Sequence, residues 1–139
     1  MTRPVTGMLL RHQGDRGDSL VEFAMVSVLF FMFVFGVTEF GRGIWIYNTV
    51  SNLAREGARY AAVRGANAAA TATVTDVDGY VQARAYGMSP AVATTWNPTT
   101  KDVGSVVTVT VSKNFTPLTT LIPHAQLTIR SSAQMIIIR

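Results

Sequence analysis

From Phe23 to Thr38 the chain runs for sixteen residues without a charge, bracketed by Glu22 on one side and Glu39 on the other. Widened to Leu20–Phe40, the apolar stretch has 21 residues. As a helix rising about 1.5 Å per residue it covers about 31 Å, enough for the hydrocarbon core of a bilayer. Its phenylalanines, valines, leucines and methionines are distributed all round rather than along one stripe, as lipid or a bundle interior requires. A carboxylate in the middle of such a span costs about 2.5–3.5 kcal/mol on insertion scales, and much less near the headgroups. Glu22 therefore calls for a cationic partner or for an interfacial position.

The run decides how the rest of the 139 residues can be used. It and the residues before it take up about forty, leaving roughly a hundred, which suits one small core and not two domains. There is no cysteine, so neither a disulfide nor a thiolate metal site is available. The net charge of +4 owes much to Arg3, Arg11 and Arg16, opposed in that segment only by Asp15; the remainder carries +2. The basic balance thus says little about nucleic acid, and it favours a cytoplasmic N-terminus with the C-terminal part exported. A cleaved secretory signal is the rival reading. Its apolar region would be shorter, about 7–15 residues, and would be followed by a small-residue cleavage site.

Beyond the run, residues 41–64 keep a helical period. Tyr47, Val50, Ala54, Ala58 and Ala61 fall on one face, and Asn48, Asn52, Arg55 and Arg59 on another. Gly36, Gly41 and Gly43 are expected to mark a bend or a close approach by another helix, and Trp45 and Tyr47 to anchor an interface or pack on a neighbour. An unbroken helix over 18–64 would run about 70 Å, with Gly65 as its stop and ANAAATAT as a loop. A shorter helix is expected over Val74–Tyr86, capped by Thr75 or Asp76 and ended by Gly87, Ser89 and Pro90. SVVTVTVS (105–112) alternates as a half-buried strand, and a weaker strand is expected near Ala93–Trp96. After the irregular FTPLTTLIP, residues 127–139 alternate and then become continuously apolar, which predicts a buried end. The sum is an α+β chain: a long apolar and stalk helix, a short helix and a small antiparallel sheet.

Three pieces in order, Gly17 with Glu22-Phe23, the Glu39-Phe40-Gly41-Arg42 step, and Ala54-Arg-Glu-Gly-Ala-Arg-Tyr60, resemble the TadE-like proteins, pilin-like components of tight-adherence (Flp-type) pilus systems. VTVTVSKNFTPL is similar to the family's sheet region. The resemblance implies a precursor of type IV pilin kind, with residues 1–17 as a cytoplasmic leader, 18–64 as transmembrane and stalk helix, and 65–139 as an extracytoplasmic domain. It implies cleavage after Gly17 by a prepilin peptidase, with Asp18 as the new N-terminus and Glu22-Phe23 as the processing and assembly pair. Asp18 departs from the small or uncharged residue common at that position. Glu39, Arg42, Arg55, Glu56 and Arg59 are the candidate assembly contacts. Implied partners are the peptidase, other pilin-like subunits, inner-membrane assembly proteins and lipid, at the bacterial inner membrane or in the pilus.

No residues suggest catalysis. His12 sits in the leader and His124 beside Pro123 in a connector; no metal-ligand spacing, phosphate-cradling glycine loop or activated serine is present. The expectation is a non-enzyme with no cofactor, no small-molecule substrate and no nucleic-acid partner. A membrane-tethered binding or adhesion module, and a secreted protein with an unusual signal, are the alternatives.

Overall fold

The computed structural model describes residues 14–118 and 126–138. Arg3, Arg11, His12, Pro123 and His124 lie outside the described residues. In chain order the elements are helix α1 (Gly14–Ala62), helix α2 (Val74–Arg84), and strands β1 (Ala91–Asn97), β2 (Val106–Phe115) and β3 (Leu127–Ile136). The fold is the expected α+β arrangement: a long N-terminal apolar helix, a short helix and a three-stranded antiparallel sheet ordered β1-β2-β3. The chain divides into two compact units between Thr38 and Glu39.

In the first unit the described chain is the N-terminal part of α1. Its side chains from Leu20 to Val37 stand exposed apart from the half-exposed Ser27. Gly36, Gly41 and Gly43 do not interrupt α1, and a Cβ on any of them would meet none of the described residues within 4 Å.

In the second unit α1 becomes one-faced. Ile46, Val50, Leu53, Ala54, Ala58 and Ala61 are buried at three- and four-residue steps, together with Val77 and Val81 of α2 and Val107, Val109 and Val111 of β2. The expected face had the right period, but it starts one residue earlier: Ile46 is buried, and Tyr47 is exposed. The closest approach lies at a position the pattern left unremarked. A Cβ at Gly57 would stand 3.0 Å from a Val81 methyl and 3.1 Å from one of Val109, so the helix backbone rests on both α2 and the sheet.

Helix α2 is capped by Thr73 rather than Thr75 or Asp76. The Asp76 amide donates to the Thr73 hydroxyl at 3.2 Å, and the Asp76 carboxylate accepts from the Thr73 amide at 2.9 Å and its hydroxyl at 2.6 Å. This reciprocal box pairs the cap with an acidic residue three positions later; both Thr73 (Asp76) and Thr75 (Asp78) have one, and it is the Thr73–Asp76 pair that closes. The Thr73 hydroxyl, then its amide, hold the Asp76 carboxyl below the ordinary value of 3.8. The helix stops at Arg84, with Tyr86, Gly87 and Ser89 in left-handed backbone conformations beyond it.

The weaker strand expectation is met by a longer element. β1 pairs with β2 from Ala91↔Ser112 to Asn97↔Val106, and β2 with β3 from Val106↔Ile136 to Phe115↔Leu127. The C-terminal apolar run is not buried as a block. Ile137 is fully buried, while Ile136 and Ile138 are 61% and 64% exposed, because strand alternation continues through them and only one face meets the core. Lys101 closes the loops on one another. Its ammonium donates to the Ala72 carbonyl at 2.8 Å and lies 4.3 Å above the Trp96 ring, while its own carbonyl accepts from the Ala66 amide at 2.9 Å.

Two outcomes follow from this packing. Gly57→Ala gains about 1 kcal/mol of helix propensity but drives a methyl into packed valines, an overfilling that typically costs about 1–3 kcal/mol. Gly57→Leu should lower the thermal midpoint of the full chain in detergent by more than Gly57→Ala does; an unchanged midpoint for Gly57→Leu would contradict the packing. For Asp76, a folded pKa below the unfolded one means its stabilisation is fully present above the ordinary value of 3.8. It is lost as the pH falls through the lower folded value. The stability gap between wild type and Asp76→Asn, followed by denaturant unfolding, should therefore close on acidification; a gap that widens in acid would contradict this.

Candidate functional site

The candidate residues occupy three places on α1. At its start, Gly17, Asp18, Glu22 and Phe23 are all exposed. Asp18 and Glu22 stand one turn apart and share a shallow recess walled by Val21, Met25, Val26 and Leu29. Like charges at this spacing repel by a few tenths of a kcal/mol, about 0.2–0.5, so the recess favours a cation. The Gly17–Asp18 bond lies inside α1, which begins at Gly14, and any protease acting there must first unwind that turn. Glycine weakens a helix by about 1 kcal/mol relative to alanine, which makes this turn easier to open.

The surface that follows is almost wholly apolar. The described helix is long and apolar enough to cross a membrane, and its most apolar eighteen-residue window is not buried by the other described residues. Phe30, Phe31 and Phe35 pack edgewise and obliquely along it, with centroids 5.6 and 6.5 Å apart. The Thr38 hydroxyl donates to the Val34 carbonyl at 2.9 Å, so it needs no water. These features fit a membrane anchor.

At the start of the second unit, Glu39 and Arg42 form an ion pair at 2.9 Å, with a second contact from Arg42 Nε at 3.2 Å. The Arg42 guanidinium also lies 4.4 Å from the Phe115 ring centroid and donates to the Thr116 carbonyl. The Leu118 amide donates to the other Glu39 oxygen. The pair thus fastens the segment leaving β2 to α1, and both side chains are half-buried in doing so.

Further along, the Ala54–Tyr60 motif splits by face. Ala54, Gly57 and Ala58 are buried against α2 and the sheet, whereas Arg55, Glu56 and Arg59 are exposed. Glu56 accepts from the Tyr80 hydroxyl at 3.3 Å. Arg59 borders a groove with Val63, Ile136 and Ile138. Arg64, Tyr80 and Arg84 were not singled out by sequence, yet with Tyr60 of the motif they form one stack. A signal existed: both tyrosines have an arginine four residues later, one helical turn away. Among the described residues no cluster of three or more His, Asp or Glu is placed to hold a metal.

Compared with known proteins, residues 17–59 match the family model described as TadE-like protein. The matched segment takes in Glu22-Phe23, the Glu39–Arg42 step and the helix through Arg59, so the resemblance read from those motifs holds there. The VTVTVSKNFTPL stretch lies beyond it. No curated protein and no solved structure matches the chain.

The Glu39 clamp makes a measurable claim. Glu39→Ala should speed hydrogen exchange at the Leu118 amide roughly fivefold, equivalent to about 1 kcal/mol for a partly exposed bond. Exchange in α2 should not change. Equal exchange at Leu118 in both proteins would mean the clamp does not hold that segment.

Proposed function

We propose that this chain, which carries the TadE-like signature over residues 17–59, is a membrane-anchored, non-enzymatic pilin-like subunit of a tight-adherence pilus assembly. One observation carries the reading. A helix exposed on every side and apolar over Phe23–Thr38 begins at a Gly17/Glu22-Phe23 motif and ends in a folded α+β unit that needs none of that surface for its own core.

In this reading a prepilin peptidase cuts after Gly17 and removes the cytoplasmic leader. The new ammonium of Asp18 supplies the cation that the Asp18–Glu22 recess favours. Donated by a neighbouring subunit, the same group neutralises Glu22 in apolar surroundings, where a lone carboxylate is costly. The pair then sets the axial register of helices whose affinity comes from packing. Other pilin-like subunits and inner-membrane assembly proteins are the partners, and the α+β unit lies outside the cytoplasm. Arg55, Glu56 and Arg59, exposed above a packed helix face, are the assembly contacts of the stalk, whereas Glu39 and Arg42 act chiefly within the subunit.

The test uses the native host. The mature chain should begin at Asp18 by mass spectrometry, and Gly17→Ala should accumulate uncut in the membrane and fail to assemble. Glu22→Ala should be cut and inserted but should enter the assembly at least roughly tenfold less, about 1.4 kcal/mol. Normal assembly of uncut Gly17→Ala would overturn the proposal in favour of a tethered binding module, for which the span is only an anchor.

A further inference from the structure

On the surface shared by α1 and α2, four side chains form a layered stack. The Tyr60 and Tyr80 rings lie face to face, with centroids 4.2 Å apart and planes 28° from parallel. The Arg64 guanidinium carbon covers the outer side of Tyr60 at 4.0 Å, and that of Arg84 covers Tyr80 at 3.6 Å. Each arginine also donates to the carbonyl of the tyrosine one turn before it, at 3.4 Å. Arg59 joins Tyr60, Arg64 and Tyr80 around one recess, with Glu56 as its acidic member. Two guanidiniums, Arg59 and Arg64, thus border that recess with one carboxylate, which accepts from the Tyr80 hydroxyl, while Arg84 lies over the Tyr80 ring. Among the described residues the one ion pair is Glu39–Arg42, so none of these three guanidiniums is in a salt bridge.

From this geometry we infer that the Arg64–Tyr60–Tyr80–Arg84 stack, with Arg59, is a docking face for the carboxylates of an acidic polypeptide segment on a partner subunit. The stacking holds each guanidinium flat and leaves its outer edge to grip a carboxylate with two parallel hydrogen bonds. Ordering the side chains beforehand removes part of the entropy that binding would otherwise cost. Tyrosine and arginine are also the residue types that dominate the energetics of protein–protein contacts. Two other anionic partners fit less well. Single-stranded nucleic acid gains its affinity by stacking bases on open aromatic faces, and here both faces of each ring are already covered. A uronic-acid polysaccharide would likewise find no bare ring on which to lay a sugar. The inference rests on the assembly reading only for where the partner is found, since recognition of carboxylates needs neither processing nor a pilus.

The test titrates the full chain, held in detergent micelles, with poly-L-glutamate. Polygalacturonate and oligothymidylate at equal charge serve as comparison ligands. Poly-L-glutamate should bind most tightly of the three, with an affinity that falls as salt rises. The double substitution R64K/R84K keeps the net charge but loses the flat fork, and should weaken binding at least tenfold. Arg130→Lys, exposed on strand β3 away from the stack, should leave binding unchanged. If circular dichroism shows that the double variant is unfolded, Arg84→Lys alone carries the comparison, with a loss of at least threefold. Equal affinity in wild type and lysine variants, or tighter binding of either comparison ligand, would overturn the proposal. Retained binding by a chain whose Gly17→Ala variant still assembles uncut would leave this inference standing and remove the pilin-like reading alone.

Discussion

Helix α1 carries two apolar surfaces of different kinds, and only one of them is satisfied within the chain. After Glu39 its apolar residues lie on one face, where α2 and the sheet cover them. Before Thr38 they point in every direction, and none of the described residues covers them. Burying a single large apolar side chain is worth about 1.5–3 kcal/mol, so a run including Phe30, Phe31, Phe33 and Phe35 does not remain in water. Lipid or other apolar helices must supply the cover.

The folded unit shows how a chain without cysteine holds a small head on such a helix. Side chains at the helix contact are short, with Ala54, Gly57, Ala58 and Ala61 admitting Val77, Val81 and the β2 valines at close range. Close approach replaces bulk. The ends are tied by polar groups: the Thr73–Asp76 box starts α2, Lys101 joins two loops, and Glu39 with Arg42 fastens the chain as it leaves β2. The stretch after β2 is thereby joined to the same helix that carries the apolar run.

Much of this was legible from residue order, because period-two and period-3.6 patterns report which side of an element is dry. The long helix, the alternating strand and the apolar run followed from that logic. What escaped it had local causes. Tyr47 lost its place to Ile46 because a helical stripe is broad enough to be read one residue out of phase. Thr73 was missed as the cap because three candidate cap residues crowd into four positions, and both threonines have an aspartate three positions later. The apolar C-terminus hid its alternation behind three identical residues, Ile136, Ile137 and Ile138. The Gly57 contact and the stacking of Tyr60 on Tyr80 depend on what α2 brings to α1, a contact no local pattern contains. The motif around Ala54–Tyr60 proved double: its small residues pack the core, and its charged ones face outward.

The absence of cysteine makes the central claim open to a direct measurement, since each single cysteine introduced along α1 can carry one nitroxide. Labels placed in turn from Phe23 to Gly43, with the protein in bilayers, should be inaccessible to a water-soluble relaxing agent as far as Val37. They should become accessible beyond Phe40. Free access of that agent to labels throughout 23–37 would show that the apolar run has no cover, and the account of this chain as a membrane-held helix would fail.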